Sequence, residues 1–465
     1  MKKNSKFNKI IIHFVGIGGI GMSGLALIMK GMGFKIQGSD ISSNKNIERL
    51  KKNKIKIIIG HSKKNISKAT ILVISSAIKN NNPEIVVAKK KQLPIYKRGD
   101  MLGHITSLTK NIVVVGSHGK TTTTSLVAGI FSKTKLDPTI INGGVLNSFD
   151  NSARLGKSKW SILELDESDG SFIKALPTYS IITNIDREHM DYYKSMDNLI
   201  RLFEEFVGKV SSFGKSFICL DDKNNKELIK RIKIKNFYTY GINAKSHFQI
   251  KDIYQSKNYS KFNVNVRLPG KKNTLIKNIR IPLIGLHNIR NATAAIAVSL
   301  SIGISNDIIK KGLNEFKGVQ RRFNKIFDFR GAEFFDDYAH HPSEIKEVLN
   351  GVKEVYKKEK IICIFQPHRI SRLKDLKKEF TFSFKKADEV VLCPIYTAGE
   401  KIKLEFNYYN FAKEIAKNSK VKLYLVKDQF SLAKFVKQNI YAQKIVIGMG
   451  AGSISNWIKE LPNLI

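Results

Sequence analysis

"KIIIHFVGIGGIGMSGLALIMKGMGFKIQGSD", Lys9 to Asp40, decides the fold, because it can be read in two ways. Behind the basic stretch "MKKNSKFNK" run about twenty uncharged residues, long enough in principle for a membrane span or an export signal. Glycine placement argues against both. Gly16, Gly18, Gly19, Gly21 and Gly24 crowd its centre, where each would weaken a helix by about 1 kcal/mol relative to alanine. His13 adds a polar ring, and no small-x-small cleavage pattern follows before Lys30. As a strand, a tight turn and a helix, every part has a use. "KIIIHFVG" is a β-branched buried strand, Gly16-x-Gly18-x-x-Gly21 a turn, "MSGLALIMKGMG" an amphipathic helix, and "KIQGSD" a second strand ending in Asp40. Such a turn lets backbone approach a diphosphate while the helix N-terminus supplies N–H donors and positive dipole. The expectation is a cytoplasmic nucleotide-binding domain with no membrane span.

Strands and helices alternate over the rest of the 465 residues, which implies parallel sheets in three α/β blocks. The first runs to about Thr109, the second opens at "NIVVVGSHGKTTTTSLVAGIFSK", and the third begins near Val319. Ligand sites in such sheets lie at the carboxyl ends of strands. The net charge of +41 suggests nucleic acid, but lysines are spread throughout and no recognition helix or zinc spacing accompanies them. They read as solvated surface that raises the local concentration of anionic substrates. Cys219, Cys363 and Cys393 form no CxxC and read as buried thiols.

"VVVGSHGKTTTT" is the strongest local signal. A strand feeds Gly116-Ser117-His118-Gly119-Lys120-Thr121-Thr122 and a helix starts there, a shortened GxxGKT loop with Val114 where the longer consensus has glycine. Backbone N–H groups would cradle phosphate, Lys120 would reach the β- and γ-phosphates of ATP, and the Thr121 hydroxyl could ligate Mg²⁺. Two acidic clusters end strands of the same block. "SILELDESDGSF" carries Glu164, Asp166, Glu167 and Asp169, and "SIITNIDREHMDYY" carries Asp186, Glu188, His189 and Asp191. Hard oxygen ligands of this kind suit Mg²⁺.

With "HFVGIGGIGMSGLA", "GSHGKTTTT", "LELDESD", "TNIDREHMD", "GLHNIRNATAA", "GVQRRF", "DDYAHHPSE" and "QPHRISRL" in one order over the whole chain, the sequence resembles the Mur ligase family. The resemblance implies three α/β domains: an N-terminal Rossmann-like UDP-binding domain over 1–109, a central P-loop-type ATPase sheet over 110–318, and a C-terminal Rossmann-like amino-acid-binding domain over 319–465. It implies ATP-dependent ligation of L-alanine to UDP-N-acetylmuramate through an acyl phosphate, in peptidoglycan precursor synthesis. Small molecules would be the partners, with no nucleic acid and no membrane; monomer or dimer stays open.

Carried over by position, the resemblance makes Lys120 the phosphate-stabilising cation and Thr121, Glu164 and His189 metal ligands. His287, Asn288 and Asn291 would lie on the adenine side, with Arg322 and Asp337 on phosphate and ribose. Tyr338, His340, Arg369 and Arg372 would form the pocket for alanine and the muramyl carboxylate, with His340 as candidate base. His13, Ser75, Ser76 and Arg98 would join Gly16, Gly18, Gly19, Gly21 and Asp40 in the UDP-sugar site. The chain departs from the commoner family spelling at Ser117 (usually threonine), Ala339 (usually glycine) and "HRISR". Ala339 would be strained only at positive φ. Two alternatives remain, a ligase of the same family that adds a tripeptide to the same sugar, and a nucleotide- or nucleic-acid-binding protein without ligase activity.

Overall fold

A computed structural model describes residues 10–75, 77–148, 151–400 and 406–465. Its strands form three sheets. The first contains β1 (Ile11–Val15), β2 (Lys35–Asp40), β3 (Lys56–Ile59), β4 (Ile71–Ile74) and β5 (Ile95–Lys97), all parallel in the order β3-β2-β1-β4-β5. The order reverses between β1 and β4, where the glycine turn leaves β1. The opening stretch is therefore strand β1 followed by helix Ile20–Gly31. No helix among the described residues is long and apolar enough to cross a membrane.

The second sheet contains β6 (Lys110–Val115), β7 (Thr139–Leu146), β8 (Asn151–Arg154), β9 (Trp160–Glu164), β10 (Tyr179–Ile182), β11 (Ser216–Cys219) and β12 (Phe237–Gly241). A meander follows: β13 (Phe248–Ser256), β14 (Tyr259–Val266) and β15 (Thr274–Ile281). The order is β15-β14-β13-β12-β11-β10-β6-β9-β7-β8. β6 is central, hydrogen-bonded in parallel to β9 and β10, and every residue of it after Lys110 is buried. Strands covered on both faces must be apolar throughout, which is why "NIVVV" and "SILE" read so plainly.

The third sheet contains β16 (Asn324–Phe329), β17 (Ala332–Asp337), β18 (Lys360–Phe365), β19 (Glu389–Leu392), β20 (Lys422–Leu425) and β21 (Lys444–Met449), in the order β16-β17-β21-β18-β19-β20. Only β16 is antiparallel, to β17. Two apolar clusters cover its faces, one around Phe365, Phe380 and Phe411, the other around Phe334, Leu432 and Ile458.

The chain divides into two compact units. One comprises Met1–Lys251, Asn263–Ile279 and Arg290–Phe316, the other Asp252–Phe262, Arg280–Ile289 and Lys317–Ile465. Within the first unit a single apolar cluster runs from Phe14 and Leu25 to Phe172, Phe203 and Phe206, so the first two sheets share a core. Cys219, Cys363 and Cys393 are buried and unbridged. Burial, with Asp221 nearby, pushes the Cys219 thiol up to about 12.

Candidate functional site

At the end of β1 the N–H groups of Gly16 and Ile17 both donate to the Ser39 carbonyl of β2 (2.9 and 3.0 Å). The Gly18 N–H donates to Asp40 Oδ2 (2.7 Å) and the Ile41 N–H to Oδ1 (2.8 Å), so the Asp40 carboxylate closes the turn. Gly19 precedes the helix, and a Cβ on Gly21 would lie 2.6 Å from Arg98 Nη1. The guanidinium thus lies over the first helical turn. Ser75, at the end of β4, has its Cβ 3.1 Å from where one on Gly16 would stand. Ser76 falls outside the described residues.

His13 requires a correction. It is fully buried, with Nε2 3.2 Å from Glu84 Oε2 and Nδ1 3.1 Å from Gln37 Nε2. Glu84 also accepts from Ser39 Oγ (2.6 Å) and Asn65 Nδ2 (2.5 Å). Burial would raise the Glu84 pKa, but bonds from His13, Ser39 and Asn65 outweigh it and hold the carboxyl at about 2. His13 therefore braces the middle of β1 and β2 from inside the domain and has no open face for a sugar nucleotide.

The second sheet presents its phosphate loop at the end of β6. Gly116 has φ +128°, and a Cβ there would stand 2.2 Å from Thr183 Oγ1. Gly119, at φ +79°, is the left-handed residue from which helix Lys120–Phe131 starts. No side chain fits at Gly116, and the backbone at both positions favours glycine. The loop hangs on the segment after β10. The Ser117 N–H donates to the Asn184 carbonyl (3.0 Å) and the His118 N–H to Asn184 Oδ1 (2.9 Å). Thr183 Oγ1 and Asn184 Nδ2 donate to the His118 carbonyl (2.7 and 2.9 Å), and the Asp186 N–H donates to Ser117 Oγ (2.8 Å). Serine thus supplies the one hydroxyl acceptor needed at position 117. The Asn291 Oδ1 lies 2.7 Å from where a Cβ on Gly119 would stand, so that side chain presses against the loop.

Lys120 Nζ donates to Glu167 Oε2 (2.6 Å) and to the Ser117 carbonyl (3.3 Å). Burial would lower its pKa, but Glu167, Asp166 and Glu164 outweigh it and hold the ammonium above its ordinary value. Lys120 is thus a fixed cation at the loop. Thr121 Oγ1 donates to Glu164 Oε1 (2.9 Å), whose other oxygen accepts from the Gly143 N–H. His189, a non-glycine residue at φ +56°, groups with Asp166 and Glu167, one ligand atom of each lying within 4.8 Å of the others. The proposed ligands therefore fall in two groups, Thr121 with Glu164 and His189 with Asp166 and Glu167. Oxygen donors with one imidazole fit a hard divalent cation.

In the second unit the candidate residues gather at the carboxyl ends of β17, β18 and β21. Asp337 ends β17 and accepts from the N–H groups of Phe323 (2.8 Å) and Ala339 (2.7 Å). Ala339 is not among the described residues with positive φ, so alanine is unstrained there. Burial raises the Asp337 carboxyl to about 6 despite Arg322 nearby. The native state therefore holds this proton more tightly than the unfolded chain. Asp337's contribution to stability is present at low pH and is lost as pH rises from about 4 through about 6. Asp337→Asn should flatten that part of the wild-type stability–pH curve, as read by urea unfolding at intervals from pH 4 to 7.

Arg321 and Arg322 lie over the Tyr338 ring (4.7 and 5.3 Å). His340 Nδ1 faces two acceptors, the Tyr338 carbonyl (3.0 Å) and Glu344 Oε2 (3.2 Å). The ring proton belongs on Nδ1, which leaves Nε2 as the basic nitrogen. The His340 ring lies 5.8 Å from that of His368, which stacks on Tyr396. Burial, then His340, Arg372 and Arg369, lowers His368 to about 4, so it is neutral at pH 7. Arg369, at φ +69°, donates through Nε to Glu400 (2.8 Å), and Arg372 Nη1 lies 3.3 Å from His368 Nδ1. His287 and Asn288 belong to this unit, where Asn288 Nδ2 donates to the Ile284 carbonyl (2.7 Å).

Sequence reasoning missed Thr183, Asn184, Glu344 and Glu400. Asn184 stands inside the quoted "TNID", but its partner is the loop nearly seventy residues earlier, and a pairing of that kind leaves no local signal.

Comparisons with known proteins agree along the chain. Residues 11–110 match the Mur ligase family catalytic domain, 114–299 the Mur ligase middle domain, and 321–452 the Mur ligase glutamate ligase domain. The chain is 72% identical over 455 residues to a UDP-N-acetylmuramate–L-alanine ligase of Pelagibacter ubique, covering 98% of each. It is 40% identical to the ligase of the same name from Brucella ovis, covering 97% of this chain and 96% of that one. The crystal structure of a UDP-N-acetylmuramate-alanine ligase from Thermotoga maritima superposes with a TM-score of 0.76 at 30% identity, covering 98% of both chains.

Proposed function

The chain belongs to the Mur ligase family, and from that premise we propose that it is the ligase joining L-alanine to the carboxylate of UDP-N-acetylmuramate, with ATP converted to ADP and phosphate. The 72% identity to an alanine ligase over 98% of both chains carries this reading. The tripeptide-adding alternative is disfavoured because the whole-chain relatives at 72% and 40% are both alanine ligases. The product is a peptidoglycan precursor, made in the cytoplasm.

A carboxylate resists attack by an amine because its oxygen leaves poorly. The muramyl carboxylate therefore attacks the γ-phosphorus, forming an acyl phosphate and releasing ADP. The neutral amine of alanine then attacks the acyl carbon and expels phosphate. Phosphoryl transfer needs mainly positioning and charge neutralisation. The loop from Gly116 to Thr122 cradles the ATP phosphates and Lys120 neutralises the transferring group, with Asn291 against the loop. By the family resemblance His287, Asn288, Arg322 and Asp337, all in the second unit, are also assigned to ATP. Thr121 with Glu164, and His189 with Asp166 and Glu167, are the two groups that would hold Mg²⁺, which would offset charge on the phosphates.

Gly16, Gly18, Gly19 and Gly21 receive the UDP diphosphate, with Asp40, Ser75 and Arg98 at the edges of that turn. Tyr338, Arg369 and Arg372 shape the pocket for alanine and the muramyl carboxylate. His340 takes the amine proton on Nε2, its Nδ1–H held by Tyr338 and Glu344.

Phosphate release in UDP-N-acetylmuramate, ATP and Mg²⁺ should require L-alanine. Glycine, L-serine and the tripeptide, supplied in turn, measure specificity. Turnover with tripeptide alone would replace this reading by the recycling one, and no turnover with any acceptor would favour a binding protein.

A further inference from the structure

Arg98 stands between two sites on the same compact unit. It opens helix Arg98–Leu108 of the first domain, and its Nη2 donates to Asp169 Oδ2 (2.7 Å) and Ser171 Oγ (2.8 Å) of the acidic loop after β9. Nη1 faces the other way, into the space that a Cβ on Gly21 would fill. Only Nη2 of this guanidinium is engaged by described residues, so Nη1 can meet an anion at the glycine turn without giving up Asp169. A planar guanidinium with donors on separate edges is suited to such bridging.

From Asp169 the connection continues to the phosphate loop. The Ser171 N–H donates to Asp169 Oδ1 (3.0 Å), and the Gly170 N–H donates to the Glu167 carbonyl (2.9 Å), which also accepts the Tyr193 hydroxyl. The Glu167 carboxylate holds Lys120. The links are these hydrogen bonds, the ion pair at Lys120 and the short backbone of residues 167–171 that joins them. The seam does not depend on Asp169 for its existence. Gly99 and Gly103 let the helix lie against residues 171–174, where a Cβ on Gly103 would stand 2.6 Å from the Lys174 carbonyl, and Asp100 pairs with Lys174.

We propose that Asp169 is a positioning residue that acts through Arg98: it couples a sugar-nucleotide diphosphate at the glycine turn to the acidic loop that holds Lys120 at the ATP phosphates. A diphosphate that fixes Arg98 also fixes Asp169 and, through the loop, Glu167. Sugar nucleotide and ATP then strengthen each other's binding, as reciprocal linkage requires. The inference rests on the proposed placement of UDP at the first turn and ATP at the second.

The test is the dissociation constant of UDP-N-acetylmuramate for the full chain, with and without a saturating non-hydrolysable ATP analogue and Mg²⁺. In the wild type the analogue should tighten sugar-nucleotide binding about fivefold or more, the usual floor for coupled sites. Asp169→Ala should bring that ratio close to one while each ligand alone binds within about twofold of wild type, and Asp169→Glu should restore most of the ratio. A wild-type ratio of one, or a full ratio in Asp169→Ala, overturns the coupling while both ligands still bind. Failure of the wild type to bind UDP-N-acetylmuramate at all overturns the assigned function, and the coupling with it.

Discussion

Lys120→Ala should abolish ligation while leaving UDP-N-acetylmuramate binding within about twofold of wild type. Lys120 is the ammonium fixed at the phosphate loop, anchored by Glu167 and the Ser117 carbonyl. The charge it neutralises on the γ-phosphate is largest in the transition state, so its loss should fall on kcat by about 10³-fold, the scale of one preorganised electrostatic contact. The sugar nucleotide is assigned to the turn after β1, on a different sheet. Steady-state phosphate release and direct titration with UDP-N-acetylmuramate measure the two effects separately. Equal loss of both would contradict the division of labour between the sheets.

His340→Ala should separate the two chemical steps. Acyl phosphate formation needs no base for the amine, so the intermediate should still form and be trapped by hydroxylamine as the hydroxamate. Amide formation should slow by about 10²-fold, the lower range for loss of a general base. Glu344→Gln should give a smaller loss in the same step, because Glu344 fixes the Nδ1–H tautomer. If hydroxamate formation falls in parallel with amide formation, His340 acts on the first step and the assignment of the base is wrong.

Where the chain buries a strand on both faces, its elements were legible in sequence. β1, β6, β9 and β10 are short apolar runs that stop at a polar or glycine residue, and each matches a stretch read as a strand. The meander β13 to β15 and the β7–β8 hairpin were not read. "YSKFNVNV" alternates buried and half-exposed positions. In a chain this rich in lysine and asparagine, one-face burial looks like loop.

The site divides in the same way. The phosphate loop was visible because glycine, lysine and threonine must stand together for backbone and hydroxyl to meet phosphate. Partnerships across distance were not. His13 meets Glu84 and Lys120 meets Glu167 only through the fold. His13 looked like a ligand contact because nothing local reveals that its ring is sealed inside a sheet.

The most direct measurement follows oxygen. UDP-N-acetylmuramate labelled with ¹⁸O in both carboxylate oxygens, turned over with ATP and L-alanine, should deliver one ¹⁸O to each phosphate released. That oxygen first attacks the γ-phosphorus and then departs with it when the amine takes the acyl carbon. Phosphate carrying no label would mean that ATP is cleaved without activating the sugar's acid, and the assignment of ligase chemistry to this fold would fall.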